Sequence, residues 1–360
     1  MIESDLGFVF TIYLYSFGTV LEQYNHTLLQ SSNVVKLLSM ITDAIKNFPK
    51  QFEYEPEVVN GEKIGEFESA VIGGMGGSGL VVGILRALKV DLDIVAHHEY
   101  GLPTFLKHDK ENNLYIAISY SGNTEETLDF FSEAIKKNLR VAAISIGGRL
   151  LEIAERNNVP YIKLPDTGIE PRMALGFMVR AILKLLGEDE LFDETGKLSE
   201  SLSGDLEKEG KTLAEKLAGK TPVIYSSRRN QTLAYNWKIK FNETGKIPAF
   251  YNTFPELNHN EMTGFDVTDS TSRLSKNMHF IILKDSDDDR RVSKRMDVLE
   301  KLYVDRKLEV TVANLIGRTR GERIFNSLVL ADWTAYFTAE KYGVEPEKTP
   351  MIEEFKKLIQ

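Results

Sequence analysis

Two short stretches carry residue types suited to holding an anion. Residues 73–79 read GGMGGSG, five glycines in seven positions. Each glycine loses more backbone freedom on folding than any other residue would, so this density points to something that must come close to the main chain. The apolar run SAVI precedes the loop and LVVGILRAL follows it, which places it between a buried strand and a helix. A helix start there offers free N–H groups and a partial positive charge to an anion. The same residues fit equally a tight turn whose glycines serve packing. They match neither a P-loop, since no GK[ST] follows, nor a dinucleotide fingerprint, since no acidic residue closes the next strand. The second stretch is Ser119-Tyr120-Ser121-Gly122-Asn123-Thr124, where LYIAIS ends and a helix begins. Helix capping accounts for one of its three hydroxyls, Ser121 or Thr124. All three together, beside free helix N–H groups, suit a phosphate.

Two other clusters are weaker. His97-His98-Glu99 follows a strand, but no carboxylate–histidine spacing repeats elsewhere, so no metal is assigned to it. The run from Asp285 to Asp289, with Asp287 and Asp288, resembles a calcium loop without the later glycine and glutamate. It reads as a strand-to-helix loop with acidic caps.

The elements that must position these residues follow from periodicity. After a helical pattern over 32–54, apolar runs alternate with amphipathic ones: strands at SAVIGGM, LDIVAHH, LYIAISYS, RVAAISIGG and YIKLP, and helices between and after them, the last over 172–187. Residues 187–220 are charged and read as a linker with one long surface helix. The alternation then restarts: strands TPVIYSS, IPAFYN, HFIILKD and LEVTVANL, with helices at 231–244, 289–303, 322–343 and 351–359, and one opening at PELNHNEM. Strands alternating with helices imply parallel sheets, hence an α/β chain of two similar halves, each a parallel sheet flanked by helices.

Composition narrows the function. The 360 residues carry a net charge of −9 and 42% apolar residues, which argues against a nucleic-acid surface and fits a sizeable core. The chain has no cysteine, so disulfides and thiolate metal sites are excluded and a reducing, cytoplasmic setting is expected. Residues 6–21, LGFVFTIYLYSFGTVL, follow the acidic Glu3 and Asp5 rather than a basic leader region, and are shorter than the ~20 residues of a span. They read as an accessory segment.

Taken with four further motifs, the two loops resemble the sugar isomerase (SIS) fold. Within it the chain is similar to the bifunctional phosphoglucose/phosphomannose isomerases of archaea and some bacteria. The motifs are Pro171-Arg172-Met173-Ala174-Leu175-Gly176, Phe241-Asn242-Glu243, Pro255-Glu256-Leu257-Asn258-His259-Asn260-Glu261, and Thr349-Pro350 before a lysine-bearing helix with Lys356. The resemblance covers roughly residues 55–360 and leaves the N-terminal stretch outside.

The resemblance implies two flavodoxin-like SIS subdomains, 55–190 and 220–345. A helical linker (191–219) would join them, an N-terminal accessory segment (1–54) would precede them, and a C-terminal helix (346–360) would close the site. It implies that Gly76, Gly77, Ser78, Ser119, Ser121 and Thr124 form the phosphate and sugar pocket. It implies Glu243 as the base that moves a proton between C2 and C1, and His259, supplied by the other subunit of a homodimer, as the ring opener. Arg172 would stabilise the enediolate; as an arginine at a helix start it opposes the dipole, which also favours a functional role. Lys356 would assist, and the small Thr349 would leave room for either C2 epimer. No cofactor or metal is implied, and the partners are phosphorylated hexoses. A phosphosugar sensor is the main rival reading, but it would give Glu243 and His259 no purpose; another SIS sugar-phosphate isomerase is the third. Aminosugar synthases that use an N-terminal cysteine are excluded by the lack of one.

Overall fold

The computed structural model describes residues 40–104, 109–202 and 206–359. The apolar stretch 6–21 and the first part of the 32–54 helix lie outside the described residues. What is described of that helix, α1, covers 40–46 and passes into a 3-10 turn, Phe48–Glu53.

The first sheet holds β1 (Ser69–Gly73), β2 (Ile94–His97), β3 (Asn113–Ile118), β4 (Arg140–Ser145) and β5 (Tyr161–Lys163) in the order β2-β1-β3-β4-β5. All pairs are parallel. Its helices are α2 (Gly76–Leu88), α3 (Glu125–Lys136), α4 (Gly148–Arg156) and α5 (Leu175–Leu186). Three short helices follow, α6 (Asp189–Gly196), α7 (Leu198–Ser201) and α8 (Leu206–Lys216). The second sheet, β6 (Thr221–Ser227), β7 (Phe250–Phe254), β8 (Met278–Lys284) and β9 (Glu309–Asn314), runs β7-β6-β8-β9, again all parallel. With it go α9 (Gln231–Glu243), α10 (Ser272–Ser275), α11 (Arg290–Asp305), α12 (Arg320–Tyr342) and α13 (Pro350–Leu358).

The two-residue period of each strand divides its side chains between two cores. Leu114, Ile116 and Ile118 of β3 enter one large cluster, whereas Tyr115 and Ala117 enter a smaller one under α3 and α4. In β8, Ile281 and Leu283 join the same large cluster, and Phe280 and Ile282 face a third one with Met296 and Leu299 of α11. One face of each sheet therefore looks into a shared core filled by α2, α5, α9 and α12. Strands buried on both faces read as continuous apolar runs, as parallel sheets require.

Two expected helices differ. Residues 189–216 form three helices rather than one surface helix, because Leu206, Leu213 and Leu217 are buried among the charges and Gly210 lets α8 meet α12. A Cβ at Gly210 would lie 2.5 Å from Cβ of Trp333. PELNHNEM forms two 3-10 turns, Glu256–His259 and Glu261–Phe265, broken at Asn260, whose side chain accepts a hydrogen bond from the Glu261 N–H.

Candidate active site

In a sheet of order 2-1-3-4-5 the crevice opens beyond the carboxyl ends of β1 and β3, where the crossovers part. Those ends carry the glycine loop and the serine loop. The Tyr120 N–H donates to Ser78 Oγ (3.0 Å) and joins the two loops. Ser119 Oγ accepts from the Gly122 N–H (3.1 Å) and lies 2.9 Å from Thr124 Oγ1. Thr124 is the N-cap of α3, yet its side chain makes no capping bond. Ser121 is exposed at the loop tip. The third loop, Gly147-Gly148, was not singled out in the sequence. It carries the serine loop from below: a Cβ at Gly122 (φ +72°) would meet the Gly147 carbonyl oxygen at 1.9 Å.

The structure divides the glycines of residues 73–79. A Cβ at Gly73 would strike the Phe130 ring (2.5 Å), at Gly74 Ile118 (2.8 Å), at Gly79 the Gly74 carbonyl (2.7 Å) and the His98 ring (2.9 Å). At Gly77 it would lie 2.7 Å from the backbone N of Arg172. Four of the five are thus required by packing. Gly76, with φ +50° and nothing within 4 Å of its Cβ position, begins α2 and faces open space.

The contact at Gly77 brings the loop against Pro171-Arg172. These residues form a 3-10 turn, Pro171–Met173, and α5 begins only at Leu175. Arg172 is therefore not at a helix start, and the expected conflict with a helix dipole does not arise. Its guanidinium is buried instead, with 2% of the side chain exposed, and every nitrogen is engaged. Nε donates to Thr244 Oγ1 (3.0 Å), and Nη2 donates to the carbonyls of Pro346 (3.1 Å) and Glu347 (2.8 Å). Nη1 lies 3.4 Å from Glu170 and 3.5 Å from Glu243 Oε2. Glu243 ends α9 with a quarter of its side chain exposed.

Glu243, Thr244, Arg172 and the segment leading to Thr349 are thus one assembly. Lys246 completes it by donating to the carbonyls of Glu243, Lys348 and Pro346. Burial pushes the Lys246 ammonium down, and the Arg172 charge acts the same way. Burial pushes the Glu347 carboxyl up, reinforced by Glu170 and Glu345. Thr244, Lys246, Glu170 and Glu347 carried no motif signal in the sequence. A cavity of about 480 Å³, lined in part by Gln51, Glu170, Met173 and Glu347, opens beside them.

Two expected residues stand apart. His259 is exposed at the end of a 3-10 turn beyond β7, and makes no hydrogen bond or ion pair among the described residues. Its loop is nevertheless fastened: Glu261 accepts from the Tyr225 hydroxyl (2.5 Å) and from Asn252, and Asn260 donates to Glu256 (2.8 Å). Lys356 is exposed on α13, and its one ion pair among the described residues is with Glu353 (2.9 Å).

The weaker clusters are accounted for by local structure. His97 and His98 each bond a backbone carbonyl, of Gly101 (3.0 Å) and Gly74 (2.7 Å). Asp289 caps α11, and Asp285 is buried against Arg320 and Arg323. No group of metal-ligating side chains occurs among the described residues, and no described helix is long and apolar enough to cross a membrane.

Comparison with known proteins settles the family. A bifunctional phosphoglucose/phosphomannose isomerase of Aquifex aeolicus is 33% identical over 322 residues, 88% of this chain and 97% of that protein. One from Thermoplasma acidophilum is 35% identical over 302 residues, covering 82% and 91%. The chain belongs to the bifunctional phosphoglucose/phosphomannose isomerase family. Residues 206–359 also match the bacterial phospho-glucose isomerase C-terminal SIS domain. The family's fold is shared with the glucosamine-6-phosphate deaminase of Thermotoga maritima, at 20% identity, a TM-score of 0.61, and coverage of 88% of this chain and 97% of that one.

Proposed function

We propose that this chain is a homodimeric isomerase interconverting glucose 6-phosphate or mannose 6-phosphate with fructose 6-phosphate. The observation that carries the reading is the Arg172–Glu243 pair at 3.5 Å, packed against the glycine loop through Gly77. A carboxylate, a buried cation and an anion-binding turn then share one wall.

In this reading the substrate phosphate lies over Gly76, Gly77 and Ser78 and takes hydrogen bonds from Ser121 and Thr124. Ser78 and Ser119 hold the two loops in place. His259 of the second subunit gives a proton to the ring oxygen and takes one from the C1 hydroxyl, opening the ring. Glu243 removes the C2 proton, leaving a cis-enediolate, and returns a proton to C1; the hydroxyl protons redistribute and no redox partner is consumed. Arg172 stabilises the enediolate oxygen, in a water-poor site where such a charge acts strongly. C2 is planar in that intermediate, so its configuration is set only on reprotonation, and Thr349 leaves room for either hydroxyl. Lys356 completes the site once α13 closes on it.

The same reading divides the chain into subdomains 55–190 and 220–345, with 1–54 accessory, 191–219 joining them and 346–360 closing the site. It places the enzyme in the cytoplasm, at the hexose phosphate step of glycolysis and gluconeogenesis, without cofactor.

The test is a coupled assay in EDTA with each aldose 6-phosphate supplied separately. Both are expected to yield fructose 6-phosphate. Turnover of glucose 6-phosphate alone would keep the mechanism and overturn the role of Thr349. Binding of phosphosugar without turnover of either would make the chain a sensor.

A further inference from the structure

The C-terminal helix α13 has no buried residue. Met351, Phe355 and Leu358 are 82%, 60% and 78% exposed, and Ile352 and Ile359 are exposed beside them. At about 100° per residue these five side chains share one face. Glu354 borders that face next to Leu358, and Lys356 borders it on the opposite edge, next to Ile352. A continuous apolar stripe of this size on an exposed helix marks a binding surface.

A matching groove of about 480 Å³ lies on the second subdomain. Its floor is Met262, Val298, Leu299 and Leu302, and its rim carries Lys294 and Arg295. Val298 is half exposed. Lys294 and Arg295 are exposed and make no ion pair among the described residues. The groove also includes Asn258, the chain neighbour of His259. It therefore offers an apolar floor, unpaired positive charge and the histidine loop side by side.

We propose that α13 of one subunit docks its apolar face in this groove of a second copy of the chain. Glu354 then meets Lys294 and Arg295, while Lys356, on the far edge of the stripe, is carried toward the partner's His259. The docking rests on the reading above, in which His259 crosses a subunit boundary. It deepens that reading by making the exchange reciprocal: each subunit gives its C-terminal helix and receives its partner's histidine. The exposed stripe, the open groove and the unpaired Lys294 and Arg295 then have one explanation. It also explains how Lys356, which pairs with Glu353 rather than with Arg172 or Glu243 in the single chain, reaches the same substrate.

The chain's lack of cysteine gives a direct test. Full-length Phe355→Cys and Val298→Cys chains are purified separately, mixed, and oxidised with copper phenanthroline. The expected product is a covalent heterodimer. It should form at least tenfold faster than when Val304→Cys, exposed on another face of α11, replaces Val298→Cys. Equal rates for the two pairs would overturn the proposal. So would an intrachain disulfide in the Phe355→Cys/Val298→Cys double variant without heterodimer from the singles, since α13 would then occupy its own groove. A second arm reads charge: Glu354→Lys, and separately Lys294→Glu/Arg295→Glu, should each raise the dimer dissociation concentration about tenfold in sedimentation, and the combined variant should recover it. Lack of recovery counts against the docking. The cross-link is scored without substrate, so failure of the isomerase reading would show in the coupled assay while the disulfide still formed.

Discussion

Replacing Lys240 by methionine should destabilise the protein strongly at neutral pH and much less in mild acid. Lys240 Nζ donates to Asp332 Oδ1 at 2.5 Å, with 2% and 5% of the two side chains exposed. Methionine fills nearly the same space but leaves the Asp332 carboxylate buried without its partner. Removing one member of a buried pair costs about 3–5 kcal/mol, a large share of the ~5–15 kcal/mol that holds a typical domain folded. Burial already pushes the Asp332 carboxyl above the usual range, opposed by the Lys240 ammonium and by Arg172. Without Lys240 it moves further up. A carboxyl with a raised folded-state pKa favours the folded form once protonated, so the deficit shrinks as pH falls. Urea unfolding of wild type and variant at pH 7.5 and 5.5 measures this directly. The double variant Lys240→Met/Asp332→Leu removes both charges and should return most of the lost stability. A deficit unchanged between the two pH values, or a double variant as weak as the single, would refute the account of a stranded charge.

Gly77→Ala should cost about 1–3 kcal/mol and lower kcat, because its Cβ would press on the Arg172 backbone at 2.7 Å. Gly76→Ala meets no atom within 4 Å; it should cost about 1–2 kcal/mol through its positive φ and raise KM more than it lowers kcat, and thermal melts with steady-state kinetics on the two variants separate these outcomes. His279 is buried, and burial pushes its imidazole down against the pull of Glu309. Its stabilising contribution is therefore present above pH 6.5 and lost as pH falls through the depressed value. Urea titrations between pH 7 and 5 should show a steeper loss in wild type than in His279→Gln, and equal slopes would count against this assignment.

The strands and most of the helices were legible because parallel strands buried on both faces, such as β1 and β3, leave unbroken apolar runs. The glycine loop was legible as a loop but not in its reasons. Gly73, Gly77 and Gly79 answer to Phe130, Arg172 and His98, and neither a motif nor a local period reveals which distant residue fills a missing side chain. The same limit hid Thr244, Lys246 and Glu347. Their work is done through backbone carbonyls and a buried hydroxyl, groups every residue or many residues possess. The 187–220 stretch misled because its charges mask a thin apolar stripe, Leu206, Leu213 and Leu217, whose partner α12 lies over a hundred residues away. At PELNHNEM a helix was expected, yet the Asn260 side chain accepts from the following N–H and breaks the turn.

The measurement that bears most directly on the proposed chemistry is proton exchange at the sugar. Fructose 6-phosphate would be incubated in D2O with wild type and with Glu243→Gln, and the C1 and C2 hydrogens followed by NMR as aldose 6-phosphates form. Wild type should introduce deuterium from the solvent while producing both aldose phosphates. The variant should still bind phosphosugar but lose both exchange and isomerisation by at least 10²-fold, the scale of a positioned general base. Exchange and isomerisation at wild-type rates in Glu243→Gln would contradict the assignment of the base beside Arg172.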